Sequence, residues 1–403
     1  MNALVLGLAR SGQAAALALA RRGDRVVGVD RSIEIDTGRL EAAGVELRLG
    51  SEEASLLEGT DVLIKSPGVP AEAPLVAAAR ERGVPVWSEV ELGGRLLPNP
   101  ILGVTGTNGK TTTSELLGAM LGAPVAGNVG RALTELDGEV DADRWIVCEL
   151  SSFQLEDIAE FRPAIGVLLN LEPDHLDRHG TFEAYRDAKL RIFENQRADD
   201  VAVVPRGFPA VGQARRLEFS GDDPLPAEPR MPGAHNRENA AAAAAAARAA
   251  GVSDEQIAKA LRTFPGVAHR LEEIAEIGGV RYVNDSKATN AAAARRAIAA
   301  YDAPLHVILG GLGKNESYAE LAADLRAKDA RAYLIGAAAD ELAAALDLPL
   351  ERNGDLATAV RAAAAAARPG DVVLLSPAAA SYDQFENFEQ RGEEFRRLVE
   401  ELR

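Results

Sequence analysis

The stretch VTGTNGKTTT, residues 104–113, has the residues of a phosphate-binding loop in a shortened frame. The common pattern is G-x-x-x-x-G-K-[ST], yet five positions before Gly109 stands Val104. What is kept is Gly106-x-x-Gly109-Lys110-Thr111. The apolar run ILGVT precedes the loop and TTTSELLGAML follows it, so it joins a strand to a helix. Glycines 106 and 109 let backbone N–H groups turn toward an anion, and the helix N-terminus adds partial positive charge. Lys110 would reach the β- and γ-phosphates of a nucleotide, and the Thr111 hydroxyl suits Mg²⁺. A glycine-rich turn with an incidental GKT is the bland alternative, and the strand and helix on either side argue against it.

Two strand ends offer further ligands. Glu149 closes WIVCEL, and AIGVLLNL runs into EPDHLDRHG, which carries His175 among Glu172, Asp174 and Asp177. Ligands gather at the carboxyl ends of parallel strands, and Mg²⁺ prefers hard oxygen donors. A lone histidine is more often structural. Its placement after a strand, parallel to Glu149, leaves the metal and structural readings evenly open. Near the N-terminus, GLARSG (7–12) follows a strand, but Ala9 replaces the middle glycine of the dinucleotide pattern. Asp30 ends the next strand, where an acid suits ribose hydroxyls.

The elements that must position these groups alternate along the chain. Strand-like runs include 3–8, 25–30, 62–68, 101–105, 145–152, 164–171, 280–286, 305–311, 331–336 and 371–377. Alanine-rich helices lie between them, at 13–22, 181–196, 236–250 and 356–368. Apolar strands separated by helices predict mainly parallel sheets covered on both faces. LLPNP (96–100) and TFPGVAHR (263–270) read as breaks and candidate hinges, giving three α/β domains: 1–97, 98–265 and 266–403. The expected fold is a Rossmann-like N-terminal domain, a central P-loop ATPase with a mainly parallel sheet, and a Rossmann-like C-terminal domain. The charged helix at 389–402 reads as a solvated face.

Composition narrows the classes. The net charge of −17 argues against nucleic acid or an anionic membrane as partner. The single cysteine, Cys148, permits no intrachain disulfide and sits in an apolar run, as a packed thiol in a reducing cytoplasm would. No 18-residue apolar run exists and the first residues begin a strand pattern, so neither a membrane span nor a signal peptide is expected.

GVTGTNGKTTT, ELSSFQLE (149–156), NLEPDHLDRHG (170–180) and YRDAKLRIFENQ (185–196) together resemble the central ATPase of the Mur ligases. These enzymes couple ATP hydrolysis to amide-bond formation in peptidoglycan precursors. PGAHNRENAAA (232–242), NDSKATN (284–290) and LSPAAASYDQFENFEQRG (375–392) resemble the branch that joins D-glutamate to UDP-N-acetylmuramoyl-L-alanine. The likeness covers essentially the whole chain. It implies that ATP phosphorylates the terminal carboxylate of the nucleotide substrate and that the D-glutamate amine attacks the acyl phosphate.

Carried over residue by residue, the resemblance implies an ATP site of Gly106, Thr107, Asn108, Gly109, Lys110, Thr111 and Thr112, with Asn236, Asn239, Arg270 and Asp285. Two Mg²⁺ ions would be held by Thr111, Glu149, His175 and a carbamylated Lys189, and Lys110, His175 and Lys189 would be catalytic. A free ammonium about 6 Å from a dication is repelled by about 5 kcal/mol at an effective dielectric near 20, and carbamylation reverses that sign. Arg10, Ser11, Asp30, Arg31, Ser66, Asn128 and Gln154 would meet the UDP substrate. Lys287, Thr289, Lys314, Ser381 and Phe388 would hold D-glutamate, although GLGKNESY around Lys314 departs from the family spacing. Closure of the third domain would expel water from the acyl phosphate. A cytoplasmic monomer is expected. A sibling Mur ligase or a folylpolyglutamate-type amide ligase remains the alternative. A non-catalytic nucleotide sensor is disfavoured by the intact Lys110, Glu149, His175 and Lys189.

Overall fold

A computed structural model describes residues 1–313 and 317–403. The chain divides into two compact units, Met1–Glu228 with Glu238–Leu261, and Pro229–Arg237 with Arg262–Arg403.

The first unit holds two sheets. In the first sheet the strands run Glu46–Leu49, Arg25–Asp30, Asn2–Leu6, Val62–Lys65 and Val86–Ser88 across its width, every pair parallel. The central strand shows why both faces are covered: Ala3 and Val5 pack into one apolar cluster, Leu4 and Leu6 into another. The helix Arg10–Arg21 buries an alanine-rich face against it. The second sheet orders Arg215–Phe219, Val201–Pro205, Ile165–Leu168, Ile101–Thr105, Ile146–Glu149 and Val125–Gly127, again all parallel. Its central strand is buried at all five residues, so its C-terminal end presents Thr105 and then the glycine loop.

The helix Glu89–Leu96 ties the two sheets of this unit together. Glu91 is fully buried and accepts the backbone N–H groups of Ala159, Glu160 and Phe161 at 2.8–3.1 Å, with Arg95 Nε at 2.6 Å. Glu89 Oε1 accepts the Thr134 N–H at 2.7 Å and its hydroxyl at 2.8 Å, and burial pushes this carboxyl up to about 7. Within LLPNP, Asn99 is anchored, its amide donating to Asp141 O at 2.7 Å and Arg144 O at 2.9 Å.

The second unit holds one sheet ordered Glu272–Ile277, Val280–Asn284, Val372–Leu375, Leu305–Gly310, Arg331–Ile335 and Leu350–Gly354. Only the first pair is antiparallel. Alternation again feeds two cores, with Val372 and Leu374 on one face and Val373 and Leu375 on the other. The helix Phe388–Glu400 corrects the reading of a solvated charged face at one position. Arg391 is 0% exposed, donating to Ser286 Oγ at 3.0 Å, Ser286 O at 2.9 Å and Ala379 O at 3.2 Å. Burial lowers its guanidinium to about 10. One cation thus knits together the loops that carry Lys287 and Ser381. Among the described residues no helix is long and apolar enough to cross a membrane.

Candidate active site

The glycine loop leaves the strand at Gly106 (φ 152°), where a Cβ would lie 2.9 Å from that of Leu169. It enters the helix Lys110–Leu121 through Gly109, a left-handed N-cap at φ 83°. A Cβ at Gly109 would stand 2.2 Å from Asn239 Oδ1. Gly109→Ala therefore combines backbone strain with a steric clash. The expected cost is about 1–3 kcal/mol, read as a lowered melting temperature together with weakened nucleotide binding in a titration.

The loop is braced from the neighbouring strand end. Asn170 Oδ1 accepts the Asn108 N–H at 2.8 Å, and the Asn170 amide donates to Asn108 O at 3.1 Å. Thr107 Oγ1 accepts the Glu172 N–H at 2.9 Å and the Tyr185 hydroxyl at 3.0 Å. Thr111 and Thr112 lie buried in the first helical turn.

Two lysines meet on one carbonyl. Lys110 Nζ donates to Gly106 O and Thr107 O, both at 2.9 Å, and Lys189 Nζ donates to Gly106 O at 2.8 Å. Lys189 is only 2% exposed and stands 4.7 Å from the Tyr185 ring centroid. Burial, then the charge of Lys110, lowers its amine to about 7, against the pull of Asp174 and Glu149. An amine that is partly neutral near physiological pH is nucleophilic toward CO₂ in a way a surface lysine is not.

Glu149 ends its strand 1% exposed. Its Oε1 accepts the Asn128 amide at 2.9 Å, while its Oε2 is buried with no hydrogen-bond partner among the described residues. An orphaned carboxylate oxygen is costly unless a cation meets it. The donor set, a carboxylate, the Thr111 hydroxyl and a lysine able to accept CO₂, fits a hard divalent ion. No group of three or more His, Cys, Asp or Glu side chains is clustered as a metal site among the described residues. His175 takes a left-handed backbone (φ 51°). Its half-exposed ring lies 3.6 Å from Asp174 Oδ2 and has its centroid 4.9 Å from that of Phe153.

The residues expected to meet the UDP substrate fall at the strand ends of the first sheet and beside Glu149. Arg10 donates to Asn128 O at 3.3 Å, which joins the helix bearing Ser11 to the Glu149 strand end. Asp30 accepts the Leu8 N–H at 2.6 Å and the Ser32 N–H at 2.9 Å, so it shapes the GLARSG loop. Ser66 Oγ donates to Gly7 O at 2.6 Å, and Arg31 pairs with Glu52 at 2.8 Å. Gln154 is buried in a capping box with Ser151.

In the second unit, Asn236 is buried and donates to Pro232 O at 2.7 Å. Asp285 accepts the Leu271 N–H at 3.2 Å and the Ser376 hydroxyl at 2.9 Å, and burial raises it to about 7 against the pull of Arg270. Lys287 Nζ stands 5.4 Å from the ring centroid of Phe388, bringing two expected D-glutamate residues together. Ser381 is buried and Thr289 immediately precedes the Asn290 cap of the helix Ala291–Ala299. Lys314 lies outside the described residues. Sequence reasoning missed Tyr185, Asn170 and Arg391. Each sits inside a quoted motif, but its partners come from distant segments.

These features define a class first: an α/β protein with a phosphate loop at a strand–helix junction and a buried acid at the adjacent strand end. Residues 1–88 match the family description Mur ligase MurD-like, N-terminal domain. Residues 104–220 match Mur ligase middle domain, and 269–379 match Mur ligase, glutamate ligase domain. The chain belongs to the Mur ligase family. It is 43% identical to UDP-N-acetylmuramoylalanine–D-glutamate ligase of Acidobacterium capsulatum, over 98% of this chain and 95% of that one. With the protein of the same name from Anaeromyxobacter dehalogenans it shares 44% identity over 98% and 97%. In fold it is similar to the MurF ligase of Thermotoga maritima in complex with ADP, with a TM-score of 0.61 and 18% identity over 94% of this chain and 96% of that one. The UDP-N-acetylmuramate-alanine ligase MurC of Thermotoga maritima gives a TM-score of 0.60 and 18% identity, with 100% of each chain covered.

Proposed function

We propose that this protein is an ATP-dependent ligase that joins D-glutamate to UDP-N-acetylmuramoyl-L-alanine through an acyl phosphate, in cytoplasmic peptidoglycan precursor synthesis. The observation that carries the chemistry is the meeting of Lys110 and Lys189 on the Gly106 carbonyl. The full-length likeness to two D-glutamate ligases supports the substrate choice.

A carboxylate oxygen is a poor leaving group, and phosphorylation makes it a good one. The transfer needs positioning and charge neutralisation more than covalent help. Loop amides from Gly106 to Thr112 hold the ATP phosphates, and Lys110 leaves its resting carbonyl partners to follow the γ-phosphoryl. Bound Mg²⁺ would neutralise charge on the phosphates and the acyl oxygen. Glu149, Thr111, His175 and the carbamate of Lys189 are the residues that would hold it. Residues 1–97 seat the uridine diphosphate, 98–265 the ATP, and 266–403 the amino acid. In the last segment Lys287 supplies a cation for the D-glutamate carboxylates, and charge-assisted hydrogen bonds make that grip strong. The amine attacks the acyl carbon, the tetrahedral intermediate collapses, and phosphate leaves with one carboxylate oxygen.

The test is phosphate release from ATP and UDP-N-acetylmuramoyl-L-alanine with single amino acids. Stimulation by D-glutamate alone is expected. Stimulation by L-alanine, or by L-glutamate with a folate, would move the chain to another branch.

A further inference from the structure

The turn Leu176–His179 follows His175 directly and is riveted on two sides. On one side Arg178 donates from Nη1 to Pro67 O at 2.6 Å and from Nη2 to Val69 O at 3.0 Å. These carbonyls flank Gly68 in the loop that begins with Ser66, whose hydroxyl in turn holds Gly7 O at 2.6 Å. On the other side His179 Nε2 lies 3.0 Å from Ser152 Oγ, in the turn that follows Glu149. Between them lies the Phe153 ring, with the Arg178 guanidinium 4.0 Å from its centroid and the His179 ring stacked at 5.4 Å. The same phenyl ring meets His175 at 4.9 Å.

The backbone makes these contacts bear on His175. The Arg178 and His179 N–H groups both donate to His175 O, at 3.1 and 3.0 Å. A left-handed backbone is uncommon outside glycine, although histidine is among the residues that tolerate it, and the hydrogen bonds from positions 178 and 179 to the His175 carbonyl tie this residue to that turn. A guanidinium presents its donors in a rigid fork. A shift of the Pro67 and Val69 carbonyls therefore moves the whole fork, and with it a turn of only four residues. Lys65, buried at the strand end, meets the same carbonyl, donating to Val69 O at 3.2 Å and pairing with Asp157 at 2.9 Å.

We infer that Arg178 is a positioning residue through which the Ser66–Val69 loop, the seat of the nucleotide substrate, sets the place of His175. The inference rests on the ligase reading above. Occupancy of the substrate seat and readiness of the histidine become one event, so ATP is not spent on an empty site.

The experiment measures kcat and KM for each substrate in wild type, Arg178→Ala, Ser66→Ala and the double variant, with melting temperatures. A misplacement near 1 Å costs on the order of 10²-fold. Arg178→Ala should therefore lower kcat and raise KM for the UDP substrate, with kcat/KM down about 10–100-fold, while KM for ATP is unchanged. The part of the Ser66→Ala loss that travels through Arg178 should vanish once Arg178 is gone, so the two losses should combine to less than their product. Should the alanine variant not fold, Arg178→Lys keeps the charge without the fork and gives the same pattern. Wild-type constants in Arg178→Lys, or losses that multiply in the double variant, overturn the inference. Wild type without D-glutamate-stimulated phosphate release removes the ligase reading and this inference together.

Discussion

Lys189→Ala loses phosphate release by roughly 10³-fold or more, the scale set by removing a preorganised charge from a dry site, and small carboxylates such as acetate or formate restore part of it. The amine is buried, lowered to about 7, and sits 2.8 Å from the loop carbonyl that also receives Lys110. Two lysine amines on one carbonyl would be a poor resting arrangement for the divalent-metal site proposed above. Carbamylation would convert the inner one into an anion with hard oxygens. Above pH 7 the amine is mostly neutral and can take up CO₂, and below it protonation competes. Depleting CO₂ should therefore reduce wild-type activity more at pH 6 than at pH 8. Full activity of Lys189→Ala without additive, measured by steady-state phosphate release, would rule the role out. Lys189→Arg should stay inactive, because its charge has the wrong sign.

Glu149→Gln should separate activity from stability. Glutamine keeps the oxygen that accepts from Asn128 at 2.9 Å and removes a buried negative charge whose second oxygen has no partner among the described residues. Glu149 makes no ion pair among the described residues but pulls on the Lys189 amine, so losing its charge gives up that weak attraction while relieving the cost of burying it, and the melting temperature should change little. Activity should fall about 10²–10³-fold, and the Mg²⁺ concentration for half-maximal rate should increase. A structural glutamate would do the opposite, losing melting temperature with little change in the Mg²⁺ titration.

The ten strand runs named from the sequence are all interior ones, such as Ile101–Thr105 and Val372–Leu375, buried at every residue. Five of the six edge strands of the three sheets were missed, and the sixth, Arg215–Phe219, lies in the Pro- and Gly-rich stretch 205–234, which reads only as irregular or short-strand structure. Glu46–Leu49, Arg215–Phe219 and Leu350–Gly354 have exposed or half-exposed residues along them, because one side of an edge strand has no neighbour. Their sequences lack the continuous apolar run that marks a strand covered on both faces. Val201–Pro205 is an exception: it is interior and apolar, and it stood unremarked within the chain.

What the sequence determined by itself is the local chemistry. GTNGKT between an apolar strand and a helix sets a phosphate loop, because glycine torsions and helix N–H groups are properties of neighbouring residues. Strand-end acids such as Glu149 follow from the same local logic. Tertiary structure alone decided which charges are buried and what faces them. Lys189 and Arg391 look like two more surface cations on helices, and both are sealed in the interior. Ser66 and Asp30, expected to meet the substrate, also hold the backbone of Gly7 and Leu8, which the sequence did not show. Burial and long-range partners are set by segments far apart in the chain, and no spacing along it encodes the distance from Lys189 to Gly106.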